Sequence, residues 1–126
     1  MHRGSCLCGA VTFEVAGELR GPDACHCSMC RKVSGHYWAS TDMALADLRL
    51  NGADKLSWYR SSEKVERGFC SVCGSALFWR PLFKDSIAVA MGAFDTPTGT
   101  HLEKHIFVAD KGDYYEIADG LPQRPR

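Results

Sequence analysis

Short alternations of apolar and polar residues run through most of this chain. In Ala10-Val11-Thr12-Phe13-Glu14-Val15 the apolar Val11, Phe13 and Val15 occupy every second position, which is the period of a strand with one face buried. Similar short runs follow at 37–40, 48–50, 56–60, 76–79, 87–91 and 106–108, separated by Gly, Asp, Asn or Pro. That spacing predicts a mainly β fold of short strands joined by turns. Residues 43–48 have the composition of a helical turn but are too few for a helix of ordinary length. The tail 120–126 is expected to be extended, because Pro122 and Pro125 remove backbone donors. Trp38, Trp58, Trp79, Phe13, Phe69, Phe78, Phe94 and Phe107 lie mostly in strand-like runs. They are expected to pack the sheets rather than to form a recognition surface.

Composition narrows the class. With 126 residues the chain has the size of one domain with a single core, and one domain over residues 1–126 is expected. Lys plus Arg and Asp plus Glu each total 15, so the formal charge is zero. No overall field draws this chain to nucleic acid or to an anionic membrane. No segment approaches the ~20 apolar residues of a membrane span, and Met1-His2-Arg3-Gly4-Ser5 contains no apolar leader. A soluble protein in the reducing cytoplasm is the expectation.

The seven cysteines change the picture most. They fall in three clusters, Cys6-Leu7-Cys8, Cys25-His26-Cys27-Ser28-Met29-Cys30 and Cys70-Ser71-Val72-Cys73. Spacings of one or two residues let thiolates share a soft cation, whereas disulfide frameworks spread their cysteines among separate loops. Gly9 follows Cys8 and Gly74 follows Cys73. A glycine there can take positive φ, which folds the backbone around a metal and aims N–H groups at sulfur. Arg31 follows Cys30 instead. Cys6, Cys8, Cys70 and Cys73 are therefore grouped as one four-thiolate zinc site, and Cys25, Cys27 and Cys30 as a second site with three.

Zinc in a structural role is closed by four protein ligands, while zinc in a reactive role keeps one position open. The four-cysteine site is expected to hold the fold, and the triplet is free to do chemistry. Two other readings of the triplet stay open. One is a second structural site completed by His36, His101 or His105, or by His26, whose ring would tend to point away from the metal. The other is disulfide formation, which the odd count disfavours. Arg31, Lys32, Lys64 and Arg67 lie close in sequence to the clusters, where cations offset thiolate charge or meet an anion.

Three segments carry a family resemblance: Gly4-Ser5-Cys6-Leu7-Cys8-Gly9-Ala10-Val11, Cys25-His26-Cys27-Ser28-Met29-Cys30-Arg31-Lys32-Val33-Ser34-Gly35, and Gly68-Phe69-Cys70-Ser71-Val72-Cys73-Gly74-Ser75. They resemble the motifs of the glutathione-dependent formaldehyde-activating enzyme family, which includes centromere protein V. Ile87 to Ala93 with Asp95 and Pro97, His105-Ile106-Phe107-Val108 with Asp110-Lys111, and Asp119-Gly120-Leu121-Pro122 resemble its later motifs, so the likeness spans about 4–122. The resemblance implies a β-tent of antiparallel sheets with two zinc sites, divided as above. It also implies that glutathione is joined to formaldehyde as S-hydroxymethylglutathione, a carbon–sulfur lyase reaction run in reverse. Zinc held by Cys25, Cys27 and Cys30 would carry that reaction, with Arg31 or Lys32 meeting a substrate carboxylate. Tyr115 stands where many members have tryptophan, and His36-Tyr37-Trp38 is bulkier than usual after that glycine. The alternative is a non-catalytic, zinc-stabilised binding or scaffold module.

Overall fold

The computed structural model describes residues 1–126, and two sheets account for most of the regular structure. Strands β1 (His2–Ser5), β2 (Thr12–Val15) and β5 (Leu48–Asn51) form a three-stranded antiparallel sheet in the order β1-β2-β5. The larger sheet contains β3 (Asp23–Cys25), β4 (Trp38–Ala44), β6 (Leu56–Arg60), β7 (Val65–Cys70), β8 (Ala76–Pro81), β9 (Ser86–Ala90) and β10 (Lys104–Ile106). Its order is β10-β3-β4-β9-β8-β7-β6. A single short helix, α1 (Ser28–Ser34), follows β3.

The mainly β expectation holds, and its alternation is visible on β2, where Phe13 and Val15 are buried between half-buried neighbours. One pair departs from the antiparallel arrangement: β10 runs parallel to β3. Residues 91–103 carry the chain from β9 past β4 to the outer side of β3, the kind of crossover a parallel pair requires.

Four elements escaped the sequence pattern. β1 and β3 are too short for alternation to register, and β7 carries Glu66, Arg67 and Gly68 at its centre. Helix α1 has only 7 residues and begins inside the cysteine motif. It starts where the Cys27 Sγ accepts from the Cys30 N–H at 3.3 Å, and it stops at Gly35, whose φ of 85° no β-branched residue would tolerate. The helical composition at 43–48 resolves into the end of β4 and one 3₁₀ turn, Leu45–Asp47. The run at 106–108 is strand only to Ile106, because Phe107 takes a left-handed φ of 54°. The tail is extended and tied beside β10, where the His105 N–H donates to the Pro122 carbonyl and the Arg124 N–H to the His105 carbonyl, both at 2.9 Å.

Two apolar clusters lie on opposite faces of the large sheet. On β9, Ile87 and Val89 enter the main core with Val11, Phe13, Met43 and Phe78, whereas Ala88 and Ala90 pack with Cys30 and Trp38. Phe13 is the centre of the main core, edge-on to Phe78 at 5.7 Å and to Phe94 at 5.3 Å. Of the aromatic residues expected inside, Phe69 and Phe107 are instead surface residues. On the second face the small side chains of Ala88 and Ala90 leave a hollow. Cross-strand register places Tyr59, Arg67, Trp79, Ala88 and Asp42 in one row across that face.

Replacing Phe13 with Ala should cost about 3–5 kcal/mol, because the ring is fully enclosed and its neighbours are fixed in two sheets. Equilibrium denaturation measures this, and a loss below about 1 kcal/mol would contradict the core assignment.

Candidate functional site

The four-cysteine group forms where the two sheets meet. Cys6 and Cys8 follow β1, Cys70 ends β7, and Cys73 lies in the turn before β8. All four sulfurs lie within 4.8 Å of one another. A tetrahedral zinc with Zn–S of about 2.3 Å has its sulfurs about 3.8 Å apart. The distances Cys6–Cys8, 3.7 Å, and Cys8–Cys70, 3.8 Å, fit that edge and are far from a disulfide bond. Gly9 and Gly74 both take the expected positive φ, 82° and 80°. Backbone N–H groups point at sulfur: Val11 donates to Cys6 at 3.3 Å and Val72 to Cys70 at 3.4 Å. Ser75, which the sequence did not single out, joins the two knuckles. Its hydroxyl accepts from the Leu7 N–H at 3.0 Å and lies 3.2 Å from the Cys73 sulfur, holding that thiol down to about 5.

The triplet is built locally. Cys25 ends β3, Cys27 caps α1, and Cys30 sits in its first turn, with the three sulfurs again within 4.8 Å of one another. Hydrogen bonds from Cys25 and Cys30 push the Cys27 thiol down to about 2, and the same contacts push Cys25 up. The donor set contains three sulfurs and no imidazole, which fits a thiophilic ion with one position left for an outside ligand.

The histidines near the triplet belong to a different network. His26 is completely buried with its ring turned away from the sulfurs. Its Nδ1 meets the Tyr115 hydroxyl, its Nε2 lies 2.8 Å from His105 Nδ1, and His105 Nε2 lies 2.7 Å from Asp119 Oδ2. The Asp119 carboxyl is held below its usual range by the His105 hydrogen bond, so it is ionised and can only accept. His105 therefore donates from Nε2 and accepts at Nδ1; His26 donates from Nε2 and accepts the Tyr115 proton at Nδ1. Burial drives the His26 pKa down to about 4, in keeping with a neutral ring. His36 is occupied by the Tyr114 hydroxyl at 2.8 Å.

A cavity of about 430 Å³ opens beside the triplet, with Cys25, Cys27 and Cys30 in its wall alongside Trp38, Trp79 and Arg67. Arg31 and Lys32, the cations expected at the site, do not border it. Arg31 donates from Nε to the Asp110 carbonyl at 2.9 Å, and Lys32 is exposed. Arg67 borders it instead, with Nη1 3.7 Å from the Cys30 sulfur. Its place two residues before Phe69 and three before Cys70 on a strand would have turned it to that face, had β7 been recognised.

The motifs, their order and this geometry agree with a comparison of sequence profiles, in which the glutathione-dependent formaldehyde-activating enzyme family matches residues 1–110. The chain belongs to that family. Among curated relatives, a putative glutathione-dependent formaldehyde-activating enzyme of Halomonas elongata is 33% identical, over 90% of this chain and 79% of the relative. An uncharacterized lyase of Schizosaccharomyces pombe is 26% identical, over 94% and 86% of the two chains. A crystal structure of a Rhodobacter sphaeroides protein shares the fold with a TM-score of 0.64 at 24% identity, covering 77% of this chain and 91% of that one.

Replacing His105 with Ala would leave the buried His26 Nε2–H without an acceptor and Asp119 without its donor. A loss of about 1–3 kcal/mol is expected by denaturation. Faster amide exchange across 111–121, with the metal content unchanged, should accompany it.

Proposed function

We propose that this protein is a zinc-dependent enzyme of the carbon–sulfur lyase type, acting on glutathione or a related thiol and its carbonyl adduct. The observation that carries the reading is the three-sulfur donor set, with no fourth ligand from the chain, opening on a cavity of about 430 Å³. In this reading Cys6, Cys8, Cys70 and Cys73 hold a structural zinc, while Cys25, Cys27 and Cys30 hold the reactive one. Family membership and the lyase named among its relatives support the reaction class. Zinc, when bound, supplies Lewis acidity that lowers the pKa of a thiol brought to it.

The chain's own residues do the rest. Trp38 and Trp79 wall the cavity and displace water from the bound thiol. The half-buried Cys27 and the buried Cys30 present sulfur to the cavity from the fixed first turn of α1. The thiol releases its proton to water, the thiolate sulfur adds to the carbonyl carbon, the C–S bond forms as the C=O π pair moves to oxygen, and that oxygen takes a proton back from water, so that no net proton is consumed. Thiolate ligands suit a reducing compartment, and the whole chain is taken as one zinc-binding domain of the cytoplasm, with a small thiol rather than a nucleic acid as its partner.

Metal analysis should find two zinc ions per chain, one for each cysteine group. A chelator titration should remove the triplet's zinc first, because that site closes only a short local segment, whereas Cys8 and Cys70 are 62 positions apart. Thiol binding should go with the first zinc and the fold with the second; simultaneous loss would contradict the division. Cys73→Ser should abolish soluble protein, whereas Cys27→Ala should fold and bind no thiol. Exchange NMR on glutathione and formaldehyde should show catalysed formation of the adduct by the wild type. Absence of catalysis, together with a triplet metal that ignores added thiol, would leave the scaffold reading in its place.

A further inference from the structure

Arg67 is an unusual guanidinium. It is only 8% exposed, forms no ion pair with any carboxylate, and leaves its Nε without a partner. Its one polar contact is from Nη1 to the Cys30 sulfur at 3.7 Å. A largely buried cation with no carboxylate partner is costly unless an anion stands beside it. The only candidate in contact is the cysteine triplet. The surroundings also hold it in place: on β7 it is paired across the sheet with Tyr59 on one side and Trp79 on the other. Three carboxylates, Asp23, Asp42 and Asp110, line the same cavity, and Arg67 is the one basic side chain that does.

Charge arithmetic gives this contact a purpose. Three thiolates around a divalent ion leave about −1, and a fourth thiolate would make about −2 in a cavity that already carries acidic residues. With three carboxylates in the lining, that added charge would favour a neutral fourth donor unless a cation offset it. A fixed guanidinium against one of the sulfurs returns one unit of positive charge without entering the ligand shell.

We propose that Arg67 is the specificity-determining cation of the triplet site, set there so that the open position takes an anionic sulfur ligand in preference to a neutral donor. This rests on the reading that the triplet's metal keeps an open position. Arg67 acts through Cys30 and the local field, and is a positioning residue; Arg31 and Lys32 lie outside the cavity and have no part in it.

The test is the ratio of two affinities, which a merely structural role would leave unchanged. Cobalt-substituted protein, whose visible bands report the fourth ligand, is titrated with glutathione and separately with imidazole. Arg67→Gln should weaken glutathione on the order of 10- to 100-fold, the scale of one unit charge about 6–12 Å away at an effective dielectric near 20, and leave imidazole unchanged or tighter. Arg67→Lys should stay within a few-fold of the wild type for both ligands. If Arg67→Gln loses the triplet's metal while Arg67→Lys keeps it, the ratio is read in Arg67→Lys at rising pH and in Arg67→Met, and a preference for glutathione that survives in Arg67→Met overturns the proposal. Loss in both variants would mean that shape, not charge, matters, and would overturn it, as would an unchanged glutathione-to-imidazole ratio in Arg67→Gln. A wild-type protein whose cobalt spectrum ignores glutathione would overturn the proposed function as well, which separates the two failures.

Discussion

The four-sulfur junction is the constraint on which the rest of the structure depends. Cys6 and Cys8 lie in the connection between β1 and β2 of the small sheet, and Cys70 and Cys73 at the turn between β7 and β8 of the large one. No backbone hydrogen-bond ladder joins these two hairpins. The sulfurs, with Ser75 bridging to the Leu7 N–H, tie one sheet to the other across 62 positions of sequence. The conformational entropy lost in bringing them together can be recovered only if something binds all four at once. Once they are fixed, Phe13 and Val15 of β2 lie against Phe78, Ile87 and Val89, and the main core closes.

With that face closed, the other face of the large sheet is free to carry the site. Strand alternation divides the work residue by residue: Ile87 and Val89 fill the core, while Ala88 and Ala90 between them supply only methyl groups to the opposite side. The hollow left there becomes the cavity. The tripeptide at the end of β3 makes the same division on a smaller scale. Cys25 and Cys27 face the cavity; His26 between them turns inward to His105, and through it to Asp119. The network thereby fastens the C-terminal segment to the backbone that holds two of the three sulfurs.

How much of this was legible in the sequence follows from which features are local. The cysteine grouping was readable because ligand spacing and the glycines after Cys8 and Cys73 are local signatures, and both glycines have the conformation they predict. Strands such as β2 and β9 were readable because one of their faces is apolar. β7 was not, since its inward positions include Gly68 on one face and Arg67 on the other, and neither reads as hydrophobic. For the same reason Arg67, named among the cations near the clusters, was not assigned to the triplet. Proximity in sequence favoured Arg31 and Lys32, but α1 carries both past the sulfurs to its outer side, while a strand from the middle of the chain brings in Arg67. The parallel pairing of β10 and the His26–His105–Asp119 chain depend on contacts 14 to 81 positions apart, for which no local pattern exists.

The two cysteine sites differ in reach as well as in ligand number, and the two differences have one origin. A site assembled from distant hairpins binds its metal as part of folding, so a vacant ligand position there would weaken the junction that holds the sheets. A site assembled from one strand end and the first turn of a short helix contributes little to the global fold, since its loop is closed already. It can therefore leave a position open at small cost. Its sulfurs are held by α1 and β3, and its charge is offset by a residue of β7 that is itself locked between cross-strand neighbours. On the proposed reading, stability is vested in the long-range site and reactivity in the short-range one, and the sheet between them would let the second vary its ligand without disturbing the first.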